Sequence, residues 1–135
     1  MAQIVLTNAY ISVNSVVLSD RANSVTLNYE VDSVEVTAFG DGGHKFVGGL
    51  QNNSTEIAFM QDFAAANVEA TVYPLVGTTT TIVIKPNGAT TSATNPAYTL
   101  TGAFLAAHTP VAAAVGELAM TSLTFTGGTL AKAVA

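Results

Sequence analysis

The stretch SVTLNYEVDSVEVTAF, residues 24–39, alternates apolar and polar residues with a period of two over most of its length. Such alternation, carried by Val, Thr and aromatic residues, is typical of a half-buried β-strand. The apolar positions up to Val31 share one face, whereas those from Val34 onward lie in the opposite phase. A bulge near Asp32 and Ser33 would restore one continuous apolar face, so we expect one long, bulged strand here.

The same period recurs along most of the chain, which predicts a mainly β fold. The predicted strands are residues 4–7, 9–18, 24–39, 44–50, 54–59, 79–85, 98–105, 117–126 and 129–133. A second change of phase, near Thr121 and Ser122, predicts a further bulge, and long strands that bend in this way suit curved sheets. With 135 residues, the chain is most simply one domain, residues 1–135.

One segment departs from the strand pattern and predicts a helix. In QDFAAANVEATVY, residues 61–73, apolar residues recur every three or four positions, and three consecutive alanines favour helix. The expected apolar stripe consists of Phe63, Ala66, Ala70 and Tyr73. Asp62 falls in the first predicted turn, where a carboxylate complements the free backbone amides.

The charge content is low and acidic. Only 10% of the residues are charged, against a usual share of about 25%, while 49% are hydrophobic and 19 are threonine. A surface of this kind can be buried between subunits without leaving buried charges unpaired, which favours an assembly. The formal net charge of −5 argues against a surface that grips nucleic acid through its phosphates. We expect neither a membrane span nor a signal peptide, and the absence of cysteine excludes disulfides.

The glycine-rich segment 39–63 is a candidate active-site loop, but the chemistry is missing. His44 and His108 lie 64 positions apart and there is no cysteine, so no zinc site is expected. The nucleophile-elbow and phosphate-loop motifs are absent. Asp41 and His44 could pair, but a solvated turn explains them as well, and His108 is interpreted as a loop residue. No catalytic, metal-binding or cofactor-binding residue is predicted.

Residues 40–53 are instead interpreted as an assembly arm. Glycines at each end provide two hinges, between which apolar side chains stand without an obvious intramolecular role. We expect the arm to be mobile in the free subunit and to become ordered on a neighbouring ring. The candidate contact residues are Asp41, His44, Lys45, Phe46, Val47 and Leu50.

In order and composition, the chain from about residue 10 onward resembles the major tail tube proteins of long-tailed, siphovirus-type bacteriophages. The resemblance rests on TLNYEVDSVEVTAFG, on DGGHKFVGGLQNNS and on TEIAFMQDFAAANVEATVYPLVG. It continues through TTTIVIKP, a small-residue loop ending in NPAY, TLTGAFL and GELAMTSLTFTGG. The chain is also similar to the tube proteins of contractile injection systems, so the resemblance leaves the tail type open.

The resemblance implies a β-sandwich with one flanking helix and a long glycine-rich loop, in subunits that form hexameric rings. Stacked rings would form a tube in a virion tail, assembled in the host cytoplasm, through which DNA passes without specific binding. The implied partners are further copies, tape measure, tail terminator and distal tail proteins, with no cofactor and no membrane.

An acidic or neutral channel wall would let DNA slide without binding, because it releases no counterions. Glu30, Asp32 and Glu35 are therefore the lumen-facing candidates, on the expectation that all three point to one side of the bulged strand. On a strand, such carboxylates can equally form a solvated outer face. The alternative functions are a capsid-decorating or other virion β-protein, or a carbohydrate-binding, adhesin-like module, and an enzyme is the weakest alternative.

Overall fold

Strands dominate the computed structural model, which describes residues 3–134 of the chain. Within that range the strands are β1 (Tyr10–Val13), β2 (Val16–Val17), β3 (Ala22–Asn28), β4 (Val31–Glu35), β5 (Phe46–Gln51), β6 (Ser54–Met60), β7 (Thr79–Lys85), β8 (Ala97–Leu105), β9 (Met120–Thr126) and β10 (Thr129–Ala133). The helical part there is limited to α1 (Val68–Val72) and two 3-10 turns, Ser19–Arg21 and Tyr73–Leu75. The predicted mainly β class with one flanking helix is confirmed.

The strands form one large antiparallel sheet and one separate hairpin. The order in the large sheet is β2-β1-β7-β8-β9-β6-β3, and β10 pairs with β8 beside this path. The first part of β8, up to Thr101, pairs with β10, whereas Phe104 and Leu105 pair with β9. Gly102, with φ +82, lies between these two parts, where the pairing with β7 shifts by one residue. The separate hairpin consists of β4 and β5.

The two arms of the large sheet fold over one hydrophobic core. Buried apolar side chains come from β1 and β7 on one arm, from β6 and β9 on the other, and from α1. Phe59 and Phe125 are its largest members, and both are fully buried. Each such side chain contributes about 1.5–3 kcal/mol through removal from water. Along β6 and β9 every second residue is buried, as expected for strands with one face on the core.

The predicted strand over residues 24–39 is wrong in extent, because the chain changes from one sheet to another within it. β3 ends at Asn28 in the large sheet, and β4 begins at Val31 in the hairpin. An irregularity does lie at Asp32, between the pairs Val31–Gln51 and Ser33–Gly48. Its extra residue belongs to the opposite strand, however, so β4 keeps a regular alternation and the expected continuous apolar face is not formed.

Three other strand predictions also need correction. Residues 9–18 form two strands, because Asn14 and Ser15 have positive φ, of 51° and 66°, as a tight two-residue hairpin turn requires. Residues 4–7 are not a strand. The strand predicted over 117–126 begins at Met120 and pairs with β6 without a shift, so the bulge predicted near Thr121 and Ser122 is wrong. The predictions for 54–59, 79–85, 98–105 and 129–133 are confirmed to within a residue.

The predicted helix over residues 61–73 is much shorter. Asp62 forms a turn before the helix, because its Oδ1 accepts a hydrogen bond from the amide of Ala64 at 2.9 Å. Ala66 then takes a positive φ of 63°, which a helix cannot continue through. The helix that follows buries Val68, Thr71 and Val72. The predicted stripe is also wrong, because Phe63 and Tyr73 are exposed.

Candidate assembly surface

The β4–β5 hairpin, residues 31–51, carries all six predicted arm residues. Its strands are antiparallel, with Val34 opposite Val47 and Glu35 opposite Phe46. The strand predicted over residues 44–50 is present as β5, Phe46–Gln51, so the glycine-rich turn is confined to residues 36–45. The residues of the predicted arm therefore lie on a β-hairpin, and their role in assembly stays a prediction.

The alternation of β4 separates the predicted lumen carboxylates. Glu35 lies beside Phe46 on one face, while Asp32 shares the other face with Val34. A Cβ placed at Gly49 would meet Val34 Cγ2 at 3.1 Å and Asp32 Cβ at 3.4 Å, which confirms their common face. Glu30 lies between β3 and β4. The expectation that all three carboxylates point to one side is therefore wrong.

Apolar side chains stand exposed on both faces of the hairpin. Phe46 is 59% exposed, Leu50 82%, and Phe39 at the turn is fully exposed. The other exposed apolar residues of this element are Val31, Val34, Val36 and Val47. A cluster of this kind on one projecting element is unusual for a monomer and marks an interaction site.

Polar contacts fix the tip of the hairpin. Asp41 Oδ2 accepts from the amide of Ala38 at 2.7 Å, and its Oδ1 lies 2.9 Å from Lys45 Nζ. Glu35 accepts hydrogen bonds from His44 and from the hydroxyl of Thr37. The Lys45 contact and the Ala38 amide lower the pKa of Asp41, and His44, then Thr37, lower that of Glu35. His44 thus pairs with Glu35, and the Asp41–His44 pair considered from the sequence is not formed.

A buried amide fixes the root of the hairpin. The side chain of Asn53 accepts from the amide of Glu30 at 3.1 Å and donates to Gln51 at 2.8 Å and to the carbonyl of Gly128 at 3.2 Å. Gln51 Oε1 also accepts from the amide of Leu130 at 3.0 Å. The root is thus bonded to the segment that leads into β10. This role could not be read from the sequence, because two of the partners of Asn53 lie 23 and 75 residues away.

An apolar groove opens next to the root of the hairpin. We call it the β3–β10 groove, and its lining is Leu6, Ala9, Val25, Leu27, Tyr29, Ile84, Lys85, Pro86, Tyr98 and Leu130. Lys85 is the one charged residue of the lining, and its Nζ lies 4.6 Å from the centre of the Tyr10 ring. Lys132 pairs with Tyr98 and lies on the same sheet face as Leu130.

The outer face of β3, β6 and β9, in the large sheet, is rich in hydroxyl groups. In one row across three strands, Thr26 lies opposite Glu56, which lies opposite Thr124. In the row beside it, Ser24 and Ser122 flank Ala58 in the same way. Glu56 is the only charged residue in these two rows. This part of the face, on β3, β6 and β9, carries a single charge and is chemically distinct from the hairpin.

His108 occupies a buried polar cluster that the sequence did not indicate. Its side chain is 3% exposed, its Nε2 is hydrogen-bonded to Glu69 Oε2 at 2.8 Å, and its Nδ1 is hydrogen-bonded to the hydroxyl of Thr121 at 3.2 Å. Gln61 adds hydrogen bonds to Glu69 and to the carbonyl of Pro110. The cluster joins α1, β9 and the loop of residues 106–119. These hydrogen bonds stabilise the fold by holding the three elements together.

Metal-ligand clusters and membrane-spanning helices are both absent from the described residues. Among residues 3–134, no three His, Asp or Glu side chains come together as metal ligands would. No helix in the same range is long and apolar enough to cross a membrane.

Comparison with known proteins places the fold. No protein-family model and no curated protein matches the chain. Solved structures do match. A chain of the sheath/tube terminator of an extracellular contractile injection system, PVC, has a TM-score of 0.72 at 14% identity, over 98% of this chain and 97% of that one.

Two further structures agree with this result. A chain of the PVC sheath-tube complex gives a TM-score of 0.69 at 14% identity, over 98% and 93% of the two chains. A chain of the virion of a native gene transfer agent particle gives 0.67 at 13% identity, over 98% and 100%. The chain therefore has the fold of tail-tube and tube-terminator proteins, as the sequence resemblance predicted.

Proposed function

We propose that the chain is a structural subunit, not an enzyme, that assembles with copies of itself into stacked, hexameric rings. The stacked rings form a hollow tail tube through which DNA is delivered without specific binding. The chain acts as one domain, residues 1–135, in a virion tail assembled in the host cytoplasm. Besides copies of itself, its partners are the tape measure, tail terminator and distal tail proteins.

The observation that carries this proposal is the exposed apolar hairpin, fixed at both ends, on a tail-tube fold. An apolar element that contacts a different surface of an identical copy makes a heterologous contact, which closes into rings or continues as a filament. The low charge of the chain supports the same conclusion, because such surfaces can be buried without stranding ions.

Purified protein tests this function directly. We expect sedimentation and negative-stain microscopy to find rings or tubes at high concentration. Phe46→Ala should abolish them with little change in the thermal stability of the monomer. Phe63→Ala is the matched control, since Phe63 is exposed to a similar extent, 63% against 59%, but lies outside the hairpin. A strictly monomeric protein rejects the proposal, and single rings that never stack point to a terminator.

The hydroxyl face is the wall of the channel in this proposal. A wall of threonine and serine lets DNA slide, because it offers no cations to replace the counterions of the phosphates. Glu56→Lys should then slow DNA ejection from intact tubes, with Glu56→Gln as the control. The sequence-based lumen role of Glu30, Asp32 and Glu35 stays a prediction, and their replacement by lysine tests it in the same assay.

A further inference from the structure

We infer that the β3–β10 groove of one subunit receives the β4–β5 hairpin of a second copy of this chain. This inference rests on the proposed self-assembly and names the two surfaces that meet. Both surfaces are present on every subunit, and Tyr29 lines the groove directly before the hairpin begins. Each subunit could thus donate its hairpin to one neighbour and receive that of another.

The groove and the hairpin both present exposed apolar side chains. The groove is lined by Leu6, Leu27, Tyr29 and further apolar residues, and Leu6 and Tyr29 are more than half exposed. The hairpin offers Phe46 and Leu50, which are also more than half exposed. Burying an aromatic ring in a pocket of a partner gives the largest contributions in protein interfaces. Five residues of β4 extend about 17 Å, which is enough to reach a neighbouring subunit.

Charge complementarity selects the hairpin over other apolar segments. The hairpin, residues 31–51, holds three carboxylates and one lysine, so its formal charge is 1 − 3 = −2 with neutral histidine, and Glu30 directly before it adds a fourth carboxylate. Among the salt bridges of residues 3–134, Arg21 and Lys45 have carboxylate partners, whereas Lys85 and Lys132 have none. These two lysines are the ones at the groove.

Two carboxylates at the start of the hairpin also lack an ion-pair partner. Glu35 and Asp41 are engaged within the tip, but Glu30 and Asp32 have no ion-pair partner among the described residues. Opposite charges at the rim of an interface steer association and fix its register. The apolar loop of residues 106–119 has only Glu117 to offer, which makes it the poorer occupant.

Cysteine cross-linking tests the pairing, because the chain has no native cysteine. A Phe46→Cys subunit mixed with a Leu130→Cys subunit should form an intermolecular disulfide under assembly conditions. Tyr98→Cys provides a second groove position if the first variant folds poorly. Phe63→Cys mixed with the same groove variants should not cross-link. Tubes that form without a Phe46 cross-link to either groove position overturn the inference while leaving the proposed function intact.

Two further measurements complete the test. In the first, a Val115→Cys subunit replaces the Phe46→Cys subunit in the cross-linking experiment. A cross-link from Val115→Cys to the groove, without one from Phe46→Cys, would show that the loop of residues 106–119 occupies the groove, and this result also overturns the inference. Reversal of the groove charges, Lys85→Glu with Lys132→Glu, should raise the protein concentration needed for assembly at least tenfold. Adding Glu30→Lys and Asp32→Lys to that variant should restore most of the loss, and failure of this rescue contradicts the charge pairing.

Discussion

The guanidinium Nε of Arg21 donates a hydrogen bond to Asp62 Oδ2 at 2.6 Å and so joins the turn before β3 to the turn before α1. Asp62 also accepts from Asn67 Nδ2 at 3.1 Å. Hydrogen bonds from the Ala64 amide and from Arg21 lower the pKa of Asp62. Two segments that are 41 residues apart in sequence thus share one carboxylate.

This relationship predicts a pH dependence of stability. A carboxylate with a lowered pKa in the folded state stabilises the protein above its unfolded pKa of about 3.9, and this stability is lost as the pH falls through the folded pKa. Asp62→Asn should lower the melting temperature at pH 7 and flatten its decline below about pH 4. Glu117→Gln, at an exposed position, is the control. Equal pH profiles for wild type and Asp62→Asn would contradict the prediction.

Asn53→Ala should destabilise the fold and free the hairpin. The side chain is 1% exposed, and its loss leaves the amide of Glu30 and the carbonyl of Gly128 without their partner. We expect a loss of about 2–3 kcal/mol in chemical denaturation, because buried polar groups left unpaired cost about 1–3 kcal/mol each. Asn52→Ala, at an exposed position, should change stability by less than about 0.5 kcal/mol.

Two buried threonines should respond in opposite ways to the same substitution. Thr55 Oγ1 is buried and has no hydrogen-bond partner among the described residues, whereas Thr121 Oγ1 bonds to His108. Thr55→Val should raise stability by about 1 kcal/mol, because it removes an unpaired hydroxyl from the core. Thr121→Val should lower it by about 1–3 kcal/mol. Denaturation by urea measures both, and destabilisation by Thr55→Val would show that this hydroxyl is satisfied.

The two glycines before β10 allow the cost of a left-handed backbone to be measured separately from the cost of a steric clash. Both have positive φ, +79 for Gly127 and +89 for Gly128. A Cβ at Gly127 meets nothing within 4 Å, whereas one at Gly128 lies 2.6 Å from the carbonyl oxygen of Thr101. Gly127→Ala should cost about 1–2 kcal/mol for the left-handed backbone alone. Gly128→Ala should cost clearly more, and similar losses of thermal stability would rule out the close approach.

The strands that the sequence predicted well are those whose two faces differ. In β7 and β9 the alternate residues enter the core, so the period of two is a direct record of burial. The prediction failed where alternation continued although the environment changed. Residues 24–39 retain the pattern while leaving the core for an exposed hairpin, and the extra residue of the bulge lies on the partner strand, where the pattern of β4 cannot show it.

The helix was predicted too long, and the buried cluster was missed, for a different reason. Helix propensity in residues 61–67 is overridden by the local hydrogen bond from the Ala64 amide to Asp62 and by the positive φ of Ala66, and apolar periodicity records neither. The cluster around His108 joins residues that lie 39 and 13 positions away in sequence. Local periodicity contains no information about such contacts. The exposure of Phe46, Val47 and Leu50 could be anticipated, because no partner for them is apparent nearby in the sequence.

The division of β8 at Gly102 also has a consequence for cooperativity. The first part of β8 is bonded to β10, and its last two residues are bonded to β9. Separation of either neighbour therefore loosens β8, and with it the pairing of β8 to the other neighbour. Native-state hydrogen exchange should therefore assign the paired amides of β9 and β10 to one unfolding unit, with protection close to that of global unfolding. The hairpin amides, bonded only to each other between root and tip, should open at lower free energy and exchange first.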